Sequence, residues 1–147
     1  MKPDIRLVGV PSDAVDDIWT EVKPMLQKGI NHGDGELDID DILKFVLDKT
    51  MQLWVVYNYS EEVIIMAGVT QIIIYPKCKV CRAVVLGGDG LDRWLDHVAG
   101  IEKWAIGKGC DKMEAYGRRG LAKKMENIGY TNKYVVIRKD LCHSQTI

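Results

Sequence analysis

Apolar and polar positions change period several times along the chain, and each change marks an element. Ile5 to Val10 (IRLVGV) is a short apolar run closed by Pro11, which predicts a first strand. Ser12 and Asp13 then offer N-cap side chains to a helix whose Ala14, Val15, Ile18, Trp19, Val22 and Leu26 recur at helical spacing. Pro24 is expected to kink or end that helix, because proline lacks an N–H and clashes with the preceding turn. The polar, glycine-rich connection Gly29 to Asp41 leads into a second helix. Its apolar stripe is Ile39, Ile42, Leu43, Val46 and Leu47.

The middle of the chain changes to strand character. Gln52 to Tyr59 is rich in aromatic and β-branched residues, and Ser60-Glu61-Glu62 turns it into Val63 to Tyr75. That second run is long for one strand, and Ala67-Gly68 suggests a bulge or bend in it. Pro76-Lys77 then leads to Val80 to Leu86, which Gly87-Gly88-Asp89-Gly90 ends. Leu91 to about Lys108 is the longest helix, with Leu91, Trp94, Leu95, Val98, Ile101 and Ala105 as its buried face and Gly107 and Gly109 at its end. Asp111 to Tyr116 predicts a strand, Gly117 to Gly129 a helix, and Tyr134 to Arg138 (YVVIR) a last strand. The order β-α-α-β-β-β-α-β-α-β implies an α/β domain, a mixed sheet with helices on both faces.

Composition narrows the class. A chain of 147 residues fits one domain, expected over 1–141 with 142–147 as a flexible tail, and 47% hydrophobic against 28% charged residues permits a sizeable core. Twenty Lys+Arg against 21 Asp+Glu leave a net charge of −1, which removes the electrostatic case for a general nucleic-acid binder. No apolar run approaches the ~20 residues of a membrane-spanning helix, and Met1-Lys2-Pro3-Asp4 does not begin a secretory signal. The four cysteines read as reduced thiols of a cytoplasmic protein.

The element order, with a glycine-rich turn between the fourth strand and a long helix, resembles the GNAT family of acetyl-CoA-dependent N-acetyltransferases over roughly Ile5 to Leu141. Three features are the sharpest: LGG…WL from Leu86, IEKWA…GC from Ile101, and GRRG with a following GY from Gly117. They are similar to a divergent group of GNAT-like proteins of tailed phages. The resemblance implies that acetyl-CoA lies along the exposed edge of the fourth strand, Ala83 to Leu86, held by main-chain groups. Its phosphates would meet the following loop, so the implied cofactor-binding residues are Val85, Leu86, Gly87, Gly88, Gly90 and Arg93. Backbone N–H groups at a helix N-terminus are natural anion donors. Here the loop reads GGDGLDRW, without the family's Arg or Gln before the glycines. Asp89 and Asp92 stand where a pyrophosphate should sit, and Arg93 partly offsets them. Without the resemblance, the same glycines read as a tight strand-to-helix turn capped by Asp89.

The family's chemistry implies an acid for the leaving thiolate and a base for the amine. The position matching the family's tyrosine is Met125, and a thioether donates no proton. Tyr116 and Tyr130 stand nearby in sequence, with sheet and core packing as their alternative roles. Glu114 on the fifth strand is preferred over Glu61 and Glu62 as the base, a plain exposed carboxylate being the alternative. The implied catalytic pair is therefore Glu114 and Tyr130, with the oxyanion held by a strand N–H near Leu86.

Other patterns carry less. Cys78-Lys79-Val80-Cys81 enters a strand, and Cys110 and Cys142-His143 do not complete a second metal knuckle, so packing is expected and no metal. Asn31 to Asp41 lacks the first ligand and the closing glutamate of a calcium loop; in the GNAT frame His32, Asp34 and Glu36 would face a substrate. Arg118, Arg119, Lys123 and Lys124 form a basic cluster that reads as a phosphate or nucleic-acid contact or as a solvated helix face. Three functions follow. One is acetyl transfer from acetyl-CoA to an amine. Another is a catalytically degenerate virion or assembly component acting through phage or host proteins. The last is a small regulatory binder of a host protein.

Overall fold

The sheet is built from a meander to which one parallel strand is added. Strands β1 (Ile5–Val10), β2 (Met51–Asn58), β3 (Val63–Ile74) and β4 (Lys79–Gly88) pair antiparallel in chain order, and β5 (Lys112–Ala115) joins β4 in parallel. Helices α1 (Val15–Ile30) and α2 (Ile39–Leu47) stand between β1 and β2, and α3 (Leu91–Gly107) between β4 and β5. The computed structural model describes residues 2–88, 91–117 and 119–142, with the backbone alone at 91 and 92. The chain divides into two compact units, Met1–Tyr116 and Gly117–Ile147.

Strand alternation sends neighbouring residues to two cores. On one face Leu53, Val55, Ala67 and Val69 meet Val15, Val22 and Leu26 of α1 and Ile42 and Val46 of α2. On the other, Trp54, Val56, Met66 and Cys81 meet Trp94, Ile101 and Ala105 of α3. The helical stripes read from the sequence thus define both layers, and the mixed α/β sheet with helices on both faces is as expected. Trp54 Nε1 donates to Thr70 Oγ1 at 2.9 Å, pairing two buried polar atoms.

Several local expectations change. Ser12 and Asp13 do not cap α1; they form a 3-10 turn ahead of it, and α1 begins without a side-chain cap bond. Helix α1 continues through Pro24 to Ile30, because its apolar side is packed on the sheet over its whole length. Helix α2 has a reciprocal capping box between Asp38 and Asp41, which explains the acids at its start. The bulge of β3 is at Ile65, not at Ala67-Gly68. Consequently Ile65 and Met66 both pack on the α3 side. Gly68 has a packing reason instead: a Cβ there would lie 2.9 Å from Leu86 Cδ2 and 3.0 Å from the Trp94 ring.

In the second unit, α4 (Arg119–Glu126) buries Met125, and a turn after it closes at Gly129, whose φ of 93° suits glycine. Residues 130–142 carry neither helix nor strand. The strand expected over Tyr134 to Arg138 is therefore absent from the described chain. Its apolar residues favour a strand, but a strand exists only as part of a ladder, and the described sheet ends at β5.

Candidate functional site

The register of β4 creates the site. Its pairing with β5 covers Val80 to Ala83, opposite Lys112 to Ala115, and stops there. Its pairing with β3 continues to Gly88. Among the described residues Val84 to Gly88 therefore keep a ladder on one side only, and the two parallel strands part at Ala83 and Ala115. An interruption marks the same point. Val69 opposes Val85 and Thr70 opposes Ala83, so Val84 is an extra residue, a β-bulge. Val84 and Val85 then both turn toward the α1 side.

Helix α1 crosses this end of β4 at backbone contact. A Cβ on Gly87 would lie 1.8 Å from the Met25 carbonyl oxygen, and one on Gly29 would lie 2.5 Å from that of Leu86. At Gly88, φ is 133° and a Cβ would be 2.8 Å from Ile65 O. Gly29, Gly87 and Gly88 are thus demanded by the fold at this corner. Strand β4 runs through Gly87 and Gly88 instead of ending before them.

A cleft of about 380 Å³ opens beside this corner, lined by Met25, Lys28, Ile65, Gly88 and Arg93 among others. Lys28 is in the last turn of α1, the end of a helix dipole that favours a cation. Arg93 is exposed in the first turn of α3, the end that favours an anion. Two cations and a helix start around one cleft make a fitting seat for a phosphate group.

At the fork, Glu114 is opposite Arg82, one rung before the strands separate. Arg82 Nη2 reaches Glu114 Oε1 at 3.4 Å and donates to Tyr75 Oη at 3.3 Å, while its guanidinium lies 4.7 Å from the Tyr116 ring centroid. Arg82 Nε is buried without a partner. Tyr116, directly after β5, is 64% exposed and so is not a core-packing tyrosine.

The structure thus brings Val85, Leu86, Gly87, Gly88 and Arg93 to one corner and Glu114 to the neighbouring fork. The side chains of Val85 and Leu86 pack into the two cores, leaving only their main chain for a ligand. Gly90, Asp89, Arg118 and His143 lie outside the described residues, as does the side chain of Asp92. Tyr130 belongs to the second unit, where its N–H donates to Met125 O; Arg119, Lys123 and Lys124 are exposed there on α4. His32, Asp34 and Glu36 are exposed in the loop after α1. Cys78 stands before β4. Cys81 is buried within it, and burial, with Cys110 nearby, pushes its thiol up to about 11 against a hydrogen bond with Thr70.

Lys28 and Arg82 were not among the sequence candidates. A signal for Lys28 exists in retrospect: Gly29 beside it interrupts a helix, where glycine is unfavourable unless something approaches closely. Nothing local distinguishes Arg82 from any strand arginine.

No protein-family model and no curated protein matches the chain in sequence. Solved structures similar to it include three acetyltransferases. An aminoglycoside N-acetyltransferase in complex with CoA is 13% identical, with a TM-score of 0.67 over 97% of this chain and 98% of that one. Glucosamine-6-phosphate N-acetyltransferase from Arabidopsis thaliana is 12% identical, with 0.64 over 95% and 99%. A predicted acetyltransferase from Clostridium acetobutylicum, solved with acetyl-CoA, is 9% identical, with 0.68 over 93% and 96%. The chain has the fold of the GNAT acetyltransferases. Among its described residues no helix is long and apolar enough to cross a membrane.

Proposed function

We propose that the protein transfers an acetyl group from acetyl-CoA to an amine. One observation carries the reading: β4 leaves β5 after Ala83 and runs on with a free edge to Gly88, which lines a cleft together with Lys28 and Arg93. Bound there, acetyl-CoA would supply an activated acetyl thioester. Lys28 and Arg93 hold its phosphate charge, and the free edge of β4 from Val84 to Leu86 holds its amide arm by main-chain hydrogen bonds. A strand N–H near Leu86 stabilises the oxyanion. Glu114 takes the proton of the attacking amine, and Arg82 positions that carboxylate. Tyr130 serves as the acid for the thiolate. The divergent phage group, with action in the cytoplasm of a host cell, belongs to the same proposal and rests on the LGG…WL, IEKWA…GC and GRRG segments.

Gly88 is unsuitable as a probe, since any side chain there collides with Ile65. Lys28 and Arg93 are exposed enough to change. Calorimetry of acetyl-CoA with the purified protein is expected to give a Kd on the order of micromolar. Lys28→Glu with Arg93→Glu is expected to weaken it at least ~10-fold, with the thermal midpoint unmoved. No heat at millimolar acetyl-CoA, or unchanged affinity in the double variant, defeats the reading.

A further inference from the structure

Arg82 and Glu114 face the side of the sheet opposite α3, because their strand neighbours Cys81 and Met113 pack into the α3-side core. A guanidinium carries five N–H donors, and Arg82 uses Nη2 alone, toward Glu114 Oε1 at 3.4 Å and Tyr75 Oη at 3.3 Å. Both contacts are long beside the ~2.7–2.9 Å of a good charge-assisted bond. Nε is buried without a partner, and among the described residues nothing bonds Nη1. Leaving a buried donor unpaired is costly, so the cation is short of acceptors where it stands. It is still within reach: 21% of the Arg82 side chain and 31% of the Glu114 side chain are exposed. The exposed rings of Tyr75 and Tyr116 stand around them.

This constellation selects a ligand with two charges. Spare guanidinium donors recognise a carboxylate, and Glu114 beside them recognises an ammonium group. Because Arg82 and Glu114 touch, the two ligand charges have to be close together, as across the single carbon of an α-amino acid. A plain amine would leave Arg82 as short of acceptors as before.

We propose that the acceptor amine belongs to a free α-amino acid, with its carboxylate on Arg82, its amine at Glu114 and its side chain against Tyr75 and Tyr116. The inference rests on the acetyl-transfer reading. In the reaction the ammonium group gives one proton to Glu114, and the freed amine nitrogen bonds to the thioester carbonyl carbon. The C–S bond breaks with its electron pair on sulfur, the second nitrogen proton ends on that thiolate, and Glu114 returns its proton to solvent. The products are an N-acetyl amino acid and CoA.

The test is calorimetry on the full chain, with and without saturating CoA, and needs no turnover. The probes are the common α-amino acids, the carboxamide of each, and 4-aminobutyrate, whose two charges are farther apart. At least one α-amino acid is expected to bind with a Kd on the order of millimolar or tighter. Its carboxamide and 4-aminobutyrate are expected to bind at least ~10-fold more weakly. Arg82→Gln is expected to erase the difference between acid and carboxamide while the carboxamide's own affinity stays, a selective loss that a merely structural arginine would not produce. Equal affinity of acid and carboxamide, equal affinity of 4-aminobutyrate, or no heat from any acid at tens of millimolar each overturns the proposal. Should the variant fail to fold, the acid-to-carboxamide ratio of the unmodified protein decides. Discrimination of acid from carboxamide without any heat from acetyl-CoA keeps the amino-acid site and defeats the acetyl-transfer reading; acetyl-CoA binding without that discrimination does the reverse.

Discussion

The two halves of β4 share one strand and serve opposite ends. Val80 to Ala83 is the fully laddered half: β3 pairs on one side and β5 on the other, Cys81 is sealed in the α3-side core, and Arg82 crosses to Glu114. Val84 to Gly88 is the half with one free edge, and α1 presses on its glycines at backbone distance. The comparison teaches that a strand is made available to a ligand by withdrawing one neighbour while the other face is held more tightly. Open hydrogen-bonding groups do not by themselves loosen the element, because its register is still set by β3 and its position by α1.

The largest effect should come from the clamped half. Gly87→Ala places a Cβ against the Met25 carbonyl, a backbone atom that no rotamer change can move, and is expected to cost about 3 kcal/mol or more in chemical denaturation. A loss under about 1 kcal/mol would show that α1 lifts freely from β4 and that the clamp does not exist. A mid-sized effect concerns the fork. Glu114→Gln is expected to lower the acetyl-transfer rate about 100-fold or more while acetyl-CoA affinity, set at the other corner, stays the same. A fall in affinity of the same size would merge the two halves into one site.

The smallest effect tests the sealed half through pH. The unfolded Cys81 thiol ionises near 9, whereas the folded one holds its proton to about 11. Above pH 9 the unfolded state therefore binds fewer protons, and stability falls as pH rises from about 9 to about 11. The loss is on the order of 2 kcal/mol. Cys81→Ala is expected to be less stable at neutral pH but flatter across that window in thermal melts. A wild-type slope no steeper than the variant's would mean that Cys81 is reached by solvent.

Much of this was legible in the sequence, and particular residues show why. The stripe of Val15, Val22 and Leu26 and the stripe of Trp94, Ile101 and Ala105 follow from period alone, as do the alternating Leu53, Trp54, Val55 and Val56. The turn that closes at Gly129 after α4 depends on residues within a few positions of each other, whereas the capping role of Asp38 appeared only in the structure. The misplaced bulge and the missing last strand have a common origin. Sequence spacing shows that a run can be a strand, but a bulge or a ladder is a relation to another strand, and Ile65 becomes the extra residue only against Val56 and Tyr57. The glycine run shows the same limit: Gly87 and Gly88 were legible as a close-approach signal, while the partner at that distance, α1 or a ligand, was not.

The amino-acid sequence by itself determined the element order, the faces of the helices and the mixed α/β class, because hydrophobic period and capping act over a few residues and survive in any context. Tertiary structure decided where β4 leaves β5, which residue bulges, and that Lys28 and Arg93, far apart in the chain, line one cleft. Those are outcomes of register and helix placement, set by interactions between segments that no local pattern encodes.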